Sequence, residues 1–182
     1  MSKTWRTLGM MLTMSVVACS GCNNDSDGGD GSTDKTVCTG TYSGGATGKV
    51  KFCSLSASKL SNGQLTYSLQ IEPDTSGSVE SNDNLTLFTT GEPKKGTFAL
   101  DTFSSGLSRV SVKGDKDYEL VRSDGAQRGK ATLTVDSVPA GQNFGGNTQY
   151  DNLTGKAEIQ YVAPAGSAYT DTVTLTLSIQ AQ

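Results

Sequence analysis

From Cys38 to its end the chain alternates apolar and polar positions in short runs. Residues 172–180 show this most clearly, with Val173, Leu175, Leu177 and Ile179 against Thr172, Thr174, Thr176 and Ser178. A period of two marks a strand with one buried face. The same period places Leu65, Tyr67, Leu69 and Ile71 together in 64–71, Ala131, Leu133 and Val135 in 130–136, and Ala157, Ile159, Tyr161 and Ala163 in 156–163. Weaker strands cover 39–43, 49–54, 85–89, 97–103, 107–113 and 118–122. Turn signals sit between the runs: Asn62-Gly63, Pro73-Asp74, Gly91-Glu92-Pro93, Gly114-Asp115, Asp124-Gly125, Pro139-Ala140-Gly141 and Pro164-Ala165-Gly166. No window carries a helical period. About nine or ten strands, each with one apolar face, predict an all-β domain over 38–182 built as an antiparallel two-sheet β-sandwich, with a β-barrel as the alternative.

The N-terminus reads differently. Lys3 and Arg6 precede an apolar stretch over 7–18, too short to span a bilayer as a helix and suited to a signal peptide. Val16-Val17-Ala18-Cys19 resembles the bacterial lipobox, which implies diacylglycerol on the cysteine thiol, cleavage after residue 18 and a membrane anchor of two or three acyl chains. Cys22, behind Ser20-Gly21, is the alternative lipidated residue. Cysteine arithmetic favours it, since cleavage there leaves Cys38 and Cys53 as an even pair. Ser20 follows Cys19 where an Asp would resemble an inner-membrane retention signal, so the outer membrane is expected.

Residues 23–36 are rich in Gly, Ser, Asn and Asp with no large apolar side chain, which predicts a flexible acidic tether over 19–37. Asn23, Asp25, Asp27, Gly28 and Asp34 fall at the spacing of an EF-hand-like calcium loop. Position one is Asn, position twelve is the short Asp, and no amphipathic helix flanks the loop. Asn23, Asp25, Asp27 and Asp34 are thus a weak calcium candidate inside a segment read as tether, and no cofactor is expected.

Composition narrows the chemistry. The chain has no histidine, and its only Trp and all four Met lie in the first 14 residues. Ser-His-Asp and Cys-His catalysis and His-ligated metals are excluded. A net charge of −3 gives no support for nucleic-acid binding.

Cys38 and Cys53 fit one hairpin turning on Gly45-Ala46, which sets them opposite each other at a separation that a disulfide bridges. That register sends Val50 and Phe52 to the core and the sulfurs to the other face. Ser56-Ala57-Ser58-Lys59 matches the Ser-x-x-Lys pattern, but in strand-like surroundings where no helix brings the Lys back to the Ser. Asp74-Thr75-Ser76-Gly77 is one residue from an Asp-Thr-Gly motif and reads as a turn. The Thr-x-Thr runs at Thr132/Thr134 and Thr172/Thr174/Thr176 offer a threonine array of the ice-binding kind, although such residues are also ordinary on a solvated strand.

The domain resembles small, β-rich surface lipoproteins of myxobacteria. The residues that carry this are Cys38-Thr39-Gly40-Thr41-Tyr42-Ser43-Gly44 with Cys53, Gly91-Glu92-Pro93 before Gly96-Thr97, the run 129–138, and the closing run 172–177. The resemblance implies a surface lipoprotein and transfers no active site. Residues 169–179 also resemble the last strand of spore-coat-U and usher-type pilin subunits, against which the lipobox argues. The expected role is a non-enzymatic surface binding, adhesion or envelope structural one, with the membrane and a protein or polysaccharide as partners. The alternative is a carboxylate-dependent, glycosidase-like hydrolase, whose two acids need no histidine.

Overall fold

The computed structural model describes residues 36–99, 108–121 and 129–182. They form twelve strands: β1 (Thr36–Gly44), β2 (Gly48–Lys59), β3 (Gln64–Pro73), β4 (Asp83–Thr90), β5 (Gly96–Ala99), β6 (Ser108–Val112), β7 (Lys116–Val121), β8 (Lys130–Ser137), β9 (Gln142–Phe144), β10 (Asn147–Tyr150), β11 (Thr154–Val162) and β12 (Thr172–Ala181). The predicted signal peptide and the tether up to residue 35, with Cys19, Cys22 and the calcium candidate, lie outside the described residues. So do the Asp124-Gly125 turn and the end of the expected 97–103 strand. Thr36 and Val37, expected as the end of the tether, instead begin β1.

The two-sheet sandwich is not what forms. All the strands belong to one antiparallel sheet, in which eight run in the order β4-β3-β2-β1-β12-β11-β7-β6 and curl into a nearly closed barrel. The ends of that path meet where Val79, just before β4, bridges Val112 of β6. The Glu80 N–H donates to the Ser111 carbonyl at 2.8 Å, and the Lys113 N–H to the Ser78 carbonyl at 2.8 Å. A sandwich and a small barrel both bury every second residue of each strand. The alternation that identified the strands is therefore silent on whether the sheet is cut or continuous. Continuity is decided at β1–β2, where Thr41 pairs Lys49 and Tyr42 pairs Gly48 before the strands part.

The inward residues fill the barrel. Leu55, Leu65, Tyr67, Leu69, Ile71, Leu120, Ile159, Tyr161 and Leu175 are among those buried almost completely. Gly40 of β1 faces the same interior, and a Cβ there would collide with Leu177, Val50 and the Thr176 carbonyl. The close approach of β1 to β12 therefore requires glycine at this position. Apart from Val37 and Val162, the outward positions of β1, β8, β11 and β12 carry Thr, Ser, Lys, Glu, Asp and Gln. This is the reverse of a membrane-spanning barrel, whose outer band is apolar. No helix among the described residues is long and apolar enough to cross a membrane.

Two strands escaped the sequence pattern. β9 and β10 form a hairpin on the Gly145-Gly146 turn, with both glycines at positive φ, and dock by β10 on the end of β2. Their side chains are mostly exposed or half-buried, so no apolar alternation marks them. The Gly-Gly pair is the signal that was available.

The Cys38–Cys53 disulfide is present, with a Cα separation of 5.5 Å. The expected turn is not. The last β1–β2 pair is Tyr42 with Gly48, and the β2–β3 register shifts between Val50 and Phe52. This bulge adds one residue to β2 and reverses which side chains point inward. Val50 and Cys53 are buried, whereas Phe52, expected in the core, is 50% exposed.

Candidate functional site

Strand register builds an extended polar surface on the barrel. On the outer face of β1, β12, β11, β8 and β5, paired residues line up in rows. One row runs Thr41, Thr176, Glu158, Thr132. The next runs Thr39, Ser178, Lys156, Thr134, Thr97. A third runs Ser43, Thr174, Gln160, Lys130. Neighbouring strands are about 4.8 Å apart, so a five-strand row extends about 19 Å. The Thr97 and Thr134 hydroxyls meet at 3.1 Å, and the Ser137 and Thr154 hydroxyls at 2.6 Å.

The first two rows enclose a groove of ≈ 510 Å³, with Thr39 and Thr41 on one side, Thr132 and Thr134 on the other, and Lys156 and Glu158 between them. A smaller depression of ≈ 220 Å³ continues it past Glu158 to Lys130, Gln160 and Thr174. The fold thus gathers four of the five flagged threonines, Thr132, Thr134, Thr174 and Thr176, about this surface. Thr172 pairs Val162 farther along the strand. Lys156 and Glu158 interrupt both threonine rows, which breaks the uniform lattice an ice-binding face needs. The groove offers hydroxyl donors and acceptors, one carboxylate and one ammonium. It contains no activated nucleophile.

A second constellation lies at the barrel seam. Asp83 of β4 continues the inward phase of Leu85 and Leu87, yet it is a carboxylic acid and only 7% exposed. Its Oδ2 accepts the Ser108 hydroxyl of β6 at 2.9 Å and the Tyr161 hydroxyl of β11 at 2.8 Å, and its Oδ1 accepts the Asn84 N–H at 2.9 Å. Burial raises its pKa, opposed by these bonds and by the Arg109 N–H. Desolvation prevails, and among the described residues no cation stands against the carboxyl. The Tyr42 hydroxyl is buried without a hydrogen-bond partner, and burial and the nearby Asp83 both raise its pKa.

Asp83 also lines a depression of ≈ 300 Å³ with Phe52, Gln70, Ile71, Glu72, Asn82 and Asn84. Ile71 pairs Asp83 across the sheet, so Glu72 projects from the opposite face. It is held by Lys51 at 2.6 Å.

The sequence motifs find no catalytic setting. Ser56 and Lys59 lie three residues apart along β2, about 10 Å in a strand. Lys59 forms an ion pair with Glu92, which also accepts the Tyr150 hydroxyl at 2.9 Å. Asp74 forms the turn expected of it, accepting the Ser76 N–H on Oδ1 at 2.8 Å and the Gly77 N–H on its carbonyl at 3.1 Å. The Ser76 bonds hold its carboxyl below the ordinary range. Among the described residues no His, Cys, Asp and Glu cluster is arranged to hold a metal ion.

Asp83, Lys156 and Glu158 were not singled out in the sequence. An acid in phase with Leu85 and Leu87 was the readable signal for Asp83. For Lys156 and Glu158 there was none, because their significance comes from strands far apart in the chain. No family model, curated protein or solved structure matches the chain.

Proposed function

We propose that this chain is a lipid-anchored outer-membrane protein whose barrel displays the hydroxyl-lined groove as a non-enzymatic binding surface for a polysaccharide. The carrying observation is the register that aligns Thr41, Thr176, Glu158 and Thr132 beside Thr39, Ser178, Lys156 and Thr134 in one groove. Its volume is in the range of ordinary ligand sites, and its mixed donors and acceptors match sugar hydroxyls. Calorimetric titration with purified envelope polysaccharides tests this. The triple variant T41V/T132V/T176V keeps side-chain volume and should weaken binding at least about tenfold, a loss of about 1.4 kcal/mol. Unchanged affinity in the variant, or binding to none of the polysaccharides, rejects the groove.

The anchor is tested separately. Replacing Cys19 by Ala should abolish acyl labelling and leave precursor, whereas lipid on Cys22 with normal processing would move the anchor there. Density-gradient fractionation checks the outer-membrane location.

The depression shared by Asp83 and Glu72 supports a second reading, carboxylate-dependent hydrolysis of a glycan. Asp83 has the raised pKa of a general acid, and Glu72 pairs with Lys51 beside it. Against it, the two project to opposite faces of the sheet. Release of reducing ends by the wild type, lost in D83N and E72Q, would establish this reading over binding alone.

A further inference from the structure

We propose that Asp83 is the latch of the barrel seam, and that placing a negative charge on it loosens β4 from β6. The seam joins the two ends of the eight-strand path, and among the described residues its backbone bonds lie in the segment around Val79–Val112. Farther along, the strands are tied by side chains. Ser108 of β6 donates to Asp83, and the Ser111 N–H donates to the Ser81 hydroxyl at 2.8 Å. Tyr161 ties the same carboxyl to β11, two strands beyond β6 in the barrel order. One acid therefore fastens three strands, and it does so inside a barrel packed with apolar side chains.

The surroundings decide how the latch responds to charge. β11 presents the Tyr161 hydroxyl, β1 the Tyr42 hydroxyl, and β6 the Ser108 hydroxyl and the Arg109 N–H. Arg109 is exposed on the outer face and contributes only its backbone. On the β3 side Ile71 stands opposite Asp83, and the charges beyond it, Glu72 and Lys51, are paired with each other. The neutral acid keeps its bonds, because the Ser108 or Tyr161 hydroxyl rotates to accept its proton. The carboxylate is a buried charge with hydroxyl and amide dipoles but no counter-ion among the described residues, between two tyrosines whose own ionisation it opposes.

The sign follows from this. A carboxyl with a raised folded pKa contributes stability that is whole below the unfolded value near 3.9 and declines as pH rises through the folded value. Seam opening therefore increases with pH, the reverse of ordinary acid unfolding. It would also connect the depression lined by Phe52 and Asn84 with the interior.

Amide hydrogen exchange on the full chain tests this. The readout is the protection of Leu85 and Val110 divided by that of Leu175 in β12, a ratio that cancels the intrinsic pH dependence of exchange. It should fall about tenfold as pH rises from about 3.9, the unfolded Asp value, towards neutrality in the wild type, and stay level in D83N. A level wild-type ratio, or an equal fall in D83N, overturns the proposal. Carbon-13 titration of the wild-type Asp83 carboxyl decides the matter should D83N not fold. A midpoint above the ordinary Asp range that coincides with the fall in protection supports the latch, and one at or below that range rejects it.

Discussion

Cys38 and Cys53 are joined where their strands have ceased to pair. β1 and β2 exchange backbone pairs only at Thr41–Lys49 and Tyr42–Gly48, and beyond them β2 bulges and turns towards β3. The disulfide, with its Cα atoms 5.5 Å apart, closes the corner that backbone hydrogen bonds leave open. It cross-links a segment of 15 residues, for which chain entropy predicts about 3 kcal/mol. Reduction should therefore lower the unfolding free energy, read from urea melts, by about that amount and leave the far-UV spectrum unchanged. β1 stays in place through its full-length pairing with β12. Loss of the β signal on reduction would show that the corner, not the β1–β12 ladder, holds β1.

Gly40 should tolerate no side chain. A Cβ there meets the buried side chains of Leu177 and Val50 inside the barrel and the backbone carbonyl of Thr176 on the neighbouring strand, and packing leaves them little room to move aside. Gly40→Ala should cost about 1–3 kcal/mol by overpacking, read from the urea midpoint. Gly63→Ala is the comparison. Open space surrounds Gly63, so only its positive φ is strained.

Truncation after Asp171 should abolish cooperative unfolding. It removes β12, which lies between β1 and β11 and buries Val173, Leu175, Leu177 and Ile179. At about 1.5–3 kcal/mol each, these four side chains rival the whole stability of a domain, about 5–15 kcal/mol. A truncated chain melting near the parent temperature would show that the barrel closes without its central strand.

Alkali should unfold the domain through its buried tyrosines. Tyr118 is fully buried, and its pKa is pushed up to about 12, first by desolvation and then by its hydrogen bond to Asp171. The neutral phenol is favoured in the fold. Its contribution is whole below the unfolded value near 10 and declines as pH rises through about 12. Burial raises Tyr161 and Tyr42 in the same direction. Stability followed by urea melts should decline above about pH 10. Y118F should flatten that decline while costing about 1 kcal/mol at neutral pH for the lost hydrogen bond. An unchanged slope in Y118F would assign the alkaline loss to the other tyrosines.

The strands were legible in the chain itself because each buries one face, and burial of every second residue is a local pattern that neighbouring residues spell out. Residues 64–71 and 172–180 carry it without interruption, and both are strands. The disulfide pair was legible for a similar reason, since the two cysteines lie on adjacent strands. Tertiary structure decided what depends on partners distant in sequence. The bulge at Lys51 and Phe52 reverses the facing of Cys53 and Phe52, because one extra residue changes which side of the sheet each side chain meets. β9 and β10 exist because β2 offers them an edge, not because they bury an apolar face. Barrel and sandwich demand the same alternation, so only the meeting of Val79 with Val112, and of Asp83 with Ser108, determines that the sheet closes on itself. The groove has the same origin: Thr41, Thr132, Glu158 and Thr176 are polar residues on four separate strands, and register alone makes them neighbours.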